Sequence, residues 1–200
     1  MANIDIVKNA VADGTRELMR SKTLDEITVT EICEKVSLSR RNFYRYFHDK
    51  YEVVQWIYYH DALLKSRHYT DCSIWDYMPR IVQTLYDDRK YYANAFRCHG
   101  QNSFRSYCTQ YLYEVIAQDY AKDFPNKLTL DFFIEHICEM SFDAFVLWLS
   151  REPCLPPERF LALFRELFPK TGQTSVELIT RSPAEQKMAL SFNPPEPAKK

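Results

Sequence analysis

Glycine is almost missing from this chain. Three glycines in 200 residues leave no Gly-rich phosphate loop and little room for tight turns. No Cys-x-x-Cys pair occurs, and the six cysteines at 33, 72, 98, 108, 138 and 154 are dispersed. His60, His99 and His136 are each solitary by spacing, and Cys138 lies two residues from His136, off its helical face. Metal ligation therefore has no pattern behind it, and no cofactor is expected. A nucleophile motif and a useful His–carboxylate spacing are also missing, so an enzyme is not expected. No apolar run approaches about 20 residues, which excludes a membrane-spanning helix. The N-terminus lacks the basic flank and apolar run of a signal peptide. A cytoplasmic protein with reduced thiols follows as the expectation. Cys98, between Arg97 and His99, is the best-placed thiol for redox sensing; the others read as small core residues.

One charge sign is not in excess either. The net charge is −1, from 26 basic and 27 acidic residues, so nucleic-acid binding cannot be argued from the total. What the chain has in quantity is apolar and aromatic surface. Hydrophobic residues make up 46%, with 13 Phe and 14 Tyr, ample for a core. Apolar positions recur at helical spacing, with no strand-period segment of useful length and no internal repeat. The expected class is all-α.

The chain is organised around residues 28–50. Thr28 with Glu31, and Asp49 with Glu52, have capping-box spacing, and Ser39 starts a segment between them. The predicted elements are a helix over 28–36, a turn at Ser37–Leu38, a helix over 39–46, and a new helix from 50. Two short helices joined by a turn make a helix-turn-helix. Phe43 and Phe47, four apart, face Ile32 and Val36. Arg40, Arg41, Tyr44 and Arg45 occupy the rest of the circumference. Between Lys35 and Lys50 five basic residues stand against Asp49 alone, a local charge of +4. Such an island on a short capped helix suits a DNA major groove; on an ordinary helix it would be a solvated face.

The same run resembles the N-terminal domain of TetR/AcrR-type transcriptional regulators. The resemblance rests on Thr28-Val29, Ile32-Cys33, Val36-Ser37-Leu38-Ser39, Phe43-Tyr44, Tyr46-Phe47 and Lys50. Two departures stand out. Ser37 replaces the usual turn glycine, and Arg41 replaces a usually small residue. The resemblance implies a three-helix head followed by a helical-bundle body. It also implies a dimer through residues 128–150 and 156–168, binding double-stranded DNA at a palindromic site. Thr28, Ser39, Tyr44, Tyr46 and Lys50 are expected to hold phosphates; Arg40, Arg41 and Asn42 are expected at base edges. More weakly, Asp88 to Phe96 with Gly100 to Phe104, and Tyr44 to Ile57, resemble the body of a branch that includes dihydroxyacetone-kinase regulators. Some members of that branch act as co-activators through a protein partner. The readings carried forward are a ligand-responsive homodimeric repressor and, as the alternative, an adaptor acting through a partner.

The remaining chain divides simply. Ile4, Val7, Val11 and Leu18 mark a first helix over 4–21, in which Gly14 costs roughly 1 kcal/mol relative to Ala. Residues 1–49 form the head, 50–169 the body and 170–200 a polar tail. The helix from Lys50 should run to about His68, its N-terminus facing a phosphate. Pro79 is best accommodated if Asp76 caps the next helix. Further helices are expected over 88–97, 103–121, 128–150 and 156–168. Phe142 to Leu149 is apolar nearly all round and needs cover on several sides, from this chain or a second subunit. Trp75, Tyr77, Tyr92, Phe96, Tyr107 and Tyr111 are the candidates to line an effector cavity, although each alone reads as packing.

Overall fold

The structure, a computed structural model, describes residues 2–63, 73–99 and 103–167. Among these it is helical throughout, with no strand. Helix α1 spans Ala2–Met19, α2 Val29–Lys35, α3 Arg40–Phe43, α4 Lys50–Tyr58, α5 Ile74–Asp87, α6 Arg89–Ala95, α7 Phe104–Tyr120 and α8 Lys127–Leu149. A last helix, α9, covers 157–167. The all-α expectation is met. Among the described residues no helix is long and apolar enough to cross a membrane.

Helices α1 to α3 close on a small core. Val11, Met19, Ile32, Phe43 and Phe47 are all buried there. The expected stripe on α1 is offset, because Ile4 is 50% exposed while Val11, Ala12, Thr15 and Met19 face inward. Val7 is half-buried and full burial begins at Val11, about two turns beyond Ile4, where α1 reaches α2. Gly14 belongs to this contact. A Cβ on Gly14 would overlap Val36 Cγ1, so the glycine serves close helix approach, beyond its propensity cost.

The turn after α2 is a Schellman cap. Leu38 N–H donates to Cys33 O at 2.9 Å and Ser37 N–H to Glu34 O at 3.3 Å, satisfying two carbonyls at the helix end. Ser37 holds φ +53°, a left-handed conformation that costs a non-glycine residue roughly 1–2 kcal/mol.

The body packs α8 against α6, α7 and α9. Phe142 stacks on Phe96 with centroids 5.1 Å apart, and Trp148 on Phe160 at 4.0 Å. Within 142–149 the chain itself covers Phe142, Phe145, Trp148 and Leu149. Asp143 and Leu147 point outward, so this stretch is not apolar all round. Surplus apolar surface lies instead along the opposite face of α8, at Leu128, Phe132, Met140 and Leu147, and continues on α9 at Leu163. Arg105 of α7 is only 3% exposed. It donates to Phe96 O, to Glu139 Oε2 at 2.7 Å and to Asp143 Oδ1 at 2.6 Å, which ties α6, α7 and α8 together.

Helix α5 corrects one expected start. It begins at Ile74, capped by Ser73 with Asp76 at the third position. Asp119 of α7 adds to the cap, accepting from Ser73 Oγ and Ile74 N–H at 2.8 Å each. Pro79 is therefore inside the helix, where it cannot donate to the carbonyl of Trp75. Arg165 of α9 donates to that carbonyl at 2.9 Å and so offsets the loss. Helix α4 continues as a wide π-type turn over Tyr59–Leu63; the expected end at His68 and the tail over 170–200 lie outside the described residues.

Candidate nucleic-acid interface

Helix α3 is short because its α-helical bonding stops after one turn. Ser39 Oγ accepts from Asn42 N–H at 3.2 Å, satisfying an orphan donor. Beyond Phe43 the bonding tightens: Arg45 N–H donates to Asn42 O and Tyr46 N–H to Phe43 O. The expected helix over 39–46 thus divides into α3 and a turn, which swings Phe47 into the core behind Phe43, their centroids 5.9 Å apart. Tyr44 stays outside, 48% exposed, its ring edge-on to Phe43 at 5.4 Å.

The charge island resolves into two groups. Lys35 pairs with Glu17 of α1 at 2.5 Å. Lys50 turns inward and donates to Leu24 O and Ile27 O, each at 2.7 Å, so it anchors the short 3-10 turn before α2. Arg40, Arg41 and Arg45 are exposed, and no carboxylate pairs with them among the described residues. Spread over α3 and the turn after it, they keep three positive charges exposed to solvent. Asn42 and Tyr46 are half-buried beside them.

Thr28 is occupied by its own helix. Its Oγ1 accepts from Glu31 N–H, and Glu31 takes the Thr28 N–H at 2.7 Å. Lys22 closes on Glu31 at 2.8 Å. The Lys22 ammonium and the Thr28 donors hold the Glu31 carboxyl down at about 2. At the start of α4, Asp49 accepts from Glu52 N–H at 2.8 Å, while Glu52 reaches one residue further back, to His48 N–H.

The body treats the candidate effector residues separately. A central apolar cavity of about 40 Å³ is lined by Phe96 but by none of the other five. Tyr77 and Tyr111 line a different groove of about 330 Å³ between α5 and α7. Trp75 packs on Phe164, and Tyr107 is half-buried with its hydroxyl pushed up to about 12 by burial. Tyr92 is fully buried and donates to Asp61 Oδ2 at 2.7 Å. Cys98 is also buried; burial pushes its thiol up, and it donates to Asn94 O. That environment disfavours the thiolate, so the redox-sensing expectation is withdrawn.

Sequence spacing missed a junction between α1 and the body. Arg16 forks onto both oxygens of Asp61 at 2.8 and 2.7 Å. Burial alone would lower the Arg16 guanidinium, but the hydrogen bond and charge of Asp61 outweigh it and raise the pKa. Arg20 forks onto Asp88 at 3.0 Å twice. Asn94 of α6 donates to Met19 O at 2.7 Å. Only the acidic and basic residue types were visible beforehand; their partners lie 45 and 68 positions away.

Residues 11–56 match the family model described as bacterial regulatory proteins of the tetR family, and residues 74–170 match a transcriptional regulator C-terminal region of the same group. The chain belongs to the TetR family. As such it is a DNA-binding transcriptional regulator, of a family that is generally not enzymatic. The TetR fold is seen again in a TetR transcriptional regulator from Streptococcus agalactiae (TM-score 0.60, 15% identity, covering 84% of this chain and 96% of that one). The dihydroxyacetone kinase operon activator DhaS shares it too (TM-score 0.54, 17% identity, 84% and 97%). A tetR-family regulator from Streptomyces coelicolor also aligns (TM-score 0.52, 13% identity, 92% and 88%). In sequence, the HTH-type dhaKLM operon transcriptional activator DhaS of Lactococcus lactis is 30% identical over 56 residues. That alignment spans 28% of this chain and 30% of the relative.

Proposed function

We propose that this TetR-family protein is a ligand-responsive repressor that binds a palindromic operator as a homodimer. Residues 1–49 form its DNA-binding head and 50–169 its effector-binding and dimerisation body. The observation that carries this reading is the trio Arg40, Arg41 and Arg45, exposed and without carboxylate partners among the described residues. Arg40, Arg41 and Asn42 face base edges, where Arg suits guanine and Asn adenine. Ser39, Tyr44 and Tyr46 hold phosphates and set register; Thr28, expected beside them, gives both its hydroxyl and its N–H to Glu31 and serves as the cap of α2 instead. Lys50, committed to carbonyls, supports the pose and adds its charge at the start of α4.

Dimerisation uses the exposed apolar side chains of α8 and α9. Leu128 is 79% and Phe132 61% exposed, and a face of this kind asks for a partner. A two-fold pair would present its α3 helices to successive major grooves about 34–36 Å apart. An effector in the body shifts the heads away from DNA only as far as its affinity differs between the two poses. Selection of binding sites from random duplex DNA, at stated salt, tests this function. Recovery of a palindrome is the expected result. Recovery of sequence-blind, salt-sensitive binding alone would overturn it in favour of the adaptor.

A further inference from the structure

A second basic surface lies where α1 meets the body. Arg20, Arg89, Lys90, Arg97, Ser150 and Glu152 line a groove of about 210 Å³. Four cations face one carboxylate there. Arg20 and Arg89 are already paired, with Asp88 at 3.0 Å and Glu152 at 2.6 Å. Arg97 is not. Its guanidinium donates to Asn94 Oδ1 at 2.6 Å and Ser150 Oγ at 2.9 Å, both neutral acceptors. These fix its orientation and leave its charge uncompensated. Lys90 is exposed, with no carboxylate partner among the described residues. A fixed planar fork beside an exposed ammonium and a hydroxyl is a donor set for an oxyanion. The groove is also wider than a bare phosphate requires.

We propose that this groove binds a small phosphorylated anion, held by Arg97 and Lys90 and reached by Arg20 from the end of α1. Helix α1 packs against α2 and so sets the pose of the helix-turn-helix. An anion that touches Arg20 together with Lys90 and Arg97 favours one head pose over another. By reciprocity, operator DNA then changes anion affinity by the same factor. This coupling rests on the DNA-binding reading above; the anion binding does not.

The test is titration of the full chain, without DNA, by inorganic phosphate and separately by phosphoglycolate at constant ionic strength, followed by heat of binding. Saturable binding is expected, weakened roughly tenfold by Lys90→Gln and by Arg97→Gln and unchanged by Lys122→Gln, an exposed lysine outside the groove. Where Arg97→Gln fails to fold, Lys90→Gln carries the test, since Lys90 has no carboxylate partner among the described residues. Absence of saturation, or an equal loss in Lys122→Gln, would overturn the proposal. A further arm measures operator binding by Lys90→Gln in phosphate-free buffer. Unchanged affinity is expected; a loss there would assign the groove to the DNA backbone and reject the small-anion site.

Discussion

Arginines do opposite work at two places in this molecule. On α3 and the turn after it, Arg40, Arg41 and Arg45 stand exposed with no carboxylate paired to them among the described residues. At the junction of α1 with the body, Arg16 and Arg20 fork onto Asp61 and Asp88, and the Arg16 side chain is only 20% exposed. The same residue type is left without a carboxylate in one region, among the described residues, and paired with carboxylates in the other. Unpaired guanidinium groups keep their donors for an outside partner. Paired ones, half-buried at Arg16 and exposed at Arg20, spend them on holding two parts of the chain in register. Stability should therefore be sensitive to the junction and indifferent to the α3 arginines, and DNA recognition should show the reverse for those arginines.

The largest expected effect breaks the paired side. Asp61→Ala strips hydrogen-bond partners from both Arg16 and Tyr92, leaving a buried hydroxyl unpaired and the half-buried Arg16 charge with only Asp88, 3.8 Å away. The unfolding free energy should fall by about 2–4 kcal/mol, read from the urea midpoint. An unchanged midpoint would mean that the junction pairs contribute nothing.

Next comes the contact that sets α1 on the helix-turn-helix. Gly14→Ala places a methyl group on Val36 and should cost about 1–3 kcal/mol, where helix propensity alone predicts a gain. The sign of the change in melting temperature separates the two. Ser37→Gly works in the other direction. Relief of the left-handed φ at the Schellman cap should stabilise the fold by about 0.5–1 kcal/mol, checked by the same denaturant titration.

The smallest effect concerns the cap that leads into this unit. The folded-state pKa of Glu31 is depressed to about 2, below its unfolded value. Its contribution to stability is therefore present above about pH 4.5 and is lost as pH falls toward 2. The melting-temperature difference between the protein and Glu31→Gln should be full near neutrality and should shrink on acidification through that window. A difference that persists at the acid end would remove the ionised cap from the account.

The division between what the sequence showed and what it hid follows the range of the interactions. The caps at Thr28, Ser39 and Asp49 act over three residues, so residue type and spacing revealed them, and the helix-turn-helix with them. The exposed basic turn was visible for the same reason. Lys35 and Lys50 were miscounted as free charge because their partners, Glu17 and the carbonyls of Leu24 and Ile27, belong to other segments. Pro79 is tolerated inside α5 because Arg165, 90 positions after Trp75, takes the stranded Trp75 carbonyl. Arg105 is buried because Glu139 and Asp143 of α8, 34 and 38 positions later, pair with it, and spacing within α7 carries no sign of them. Helical periodicity reports which face turns inward, but not which distant side chain meets it there.

The most direct test of the contrast is Arg41→Ala, measured for operator affinity, base preference and unfolding together. The account predicts a loss of about 1–3 kcal/mol in binding with relaxed preference at the contacted position, and stability within about 0.5 kcal/mol of the parent. Unchanged affinity and preference would contradict the groove assignment of α3. A large loss of stability would contradict the claim that this arginine is held free for DNA.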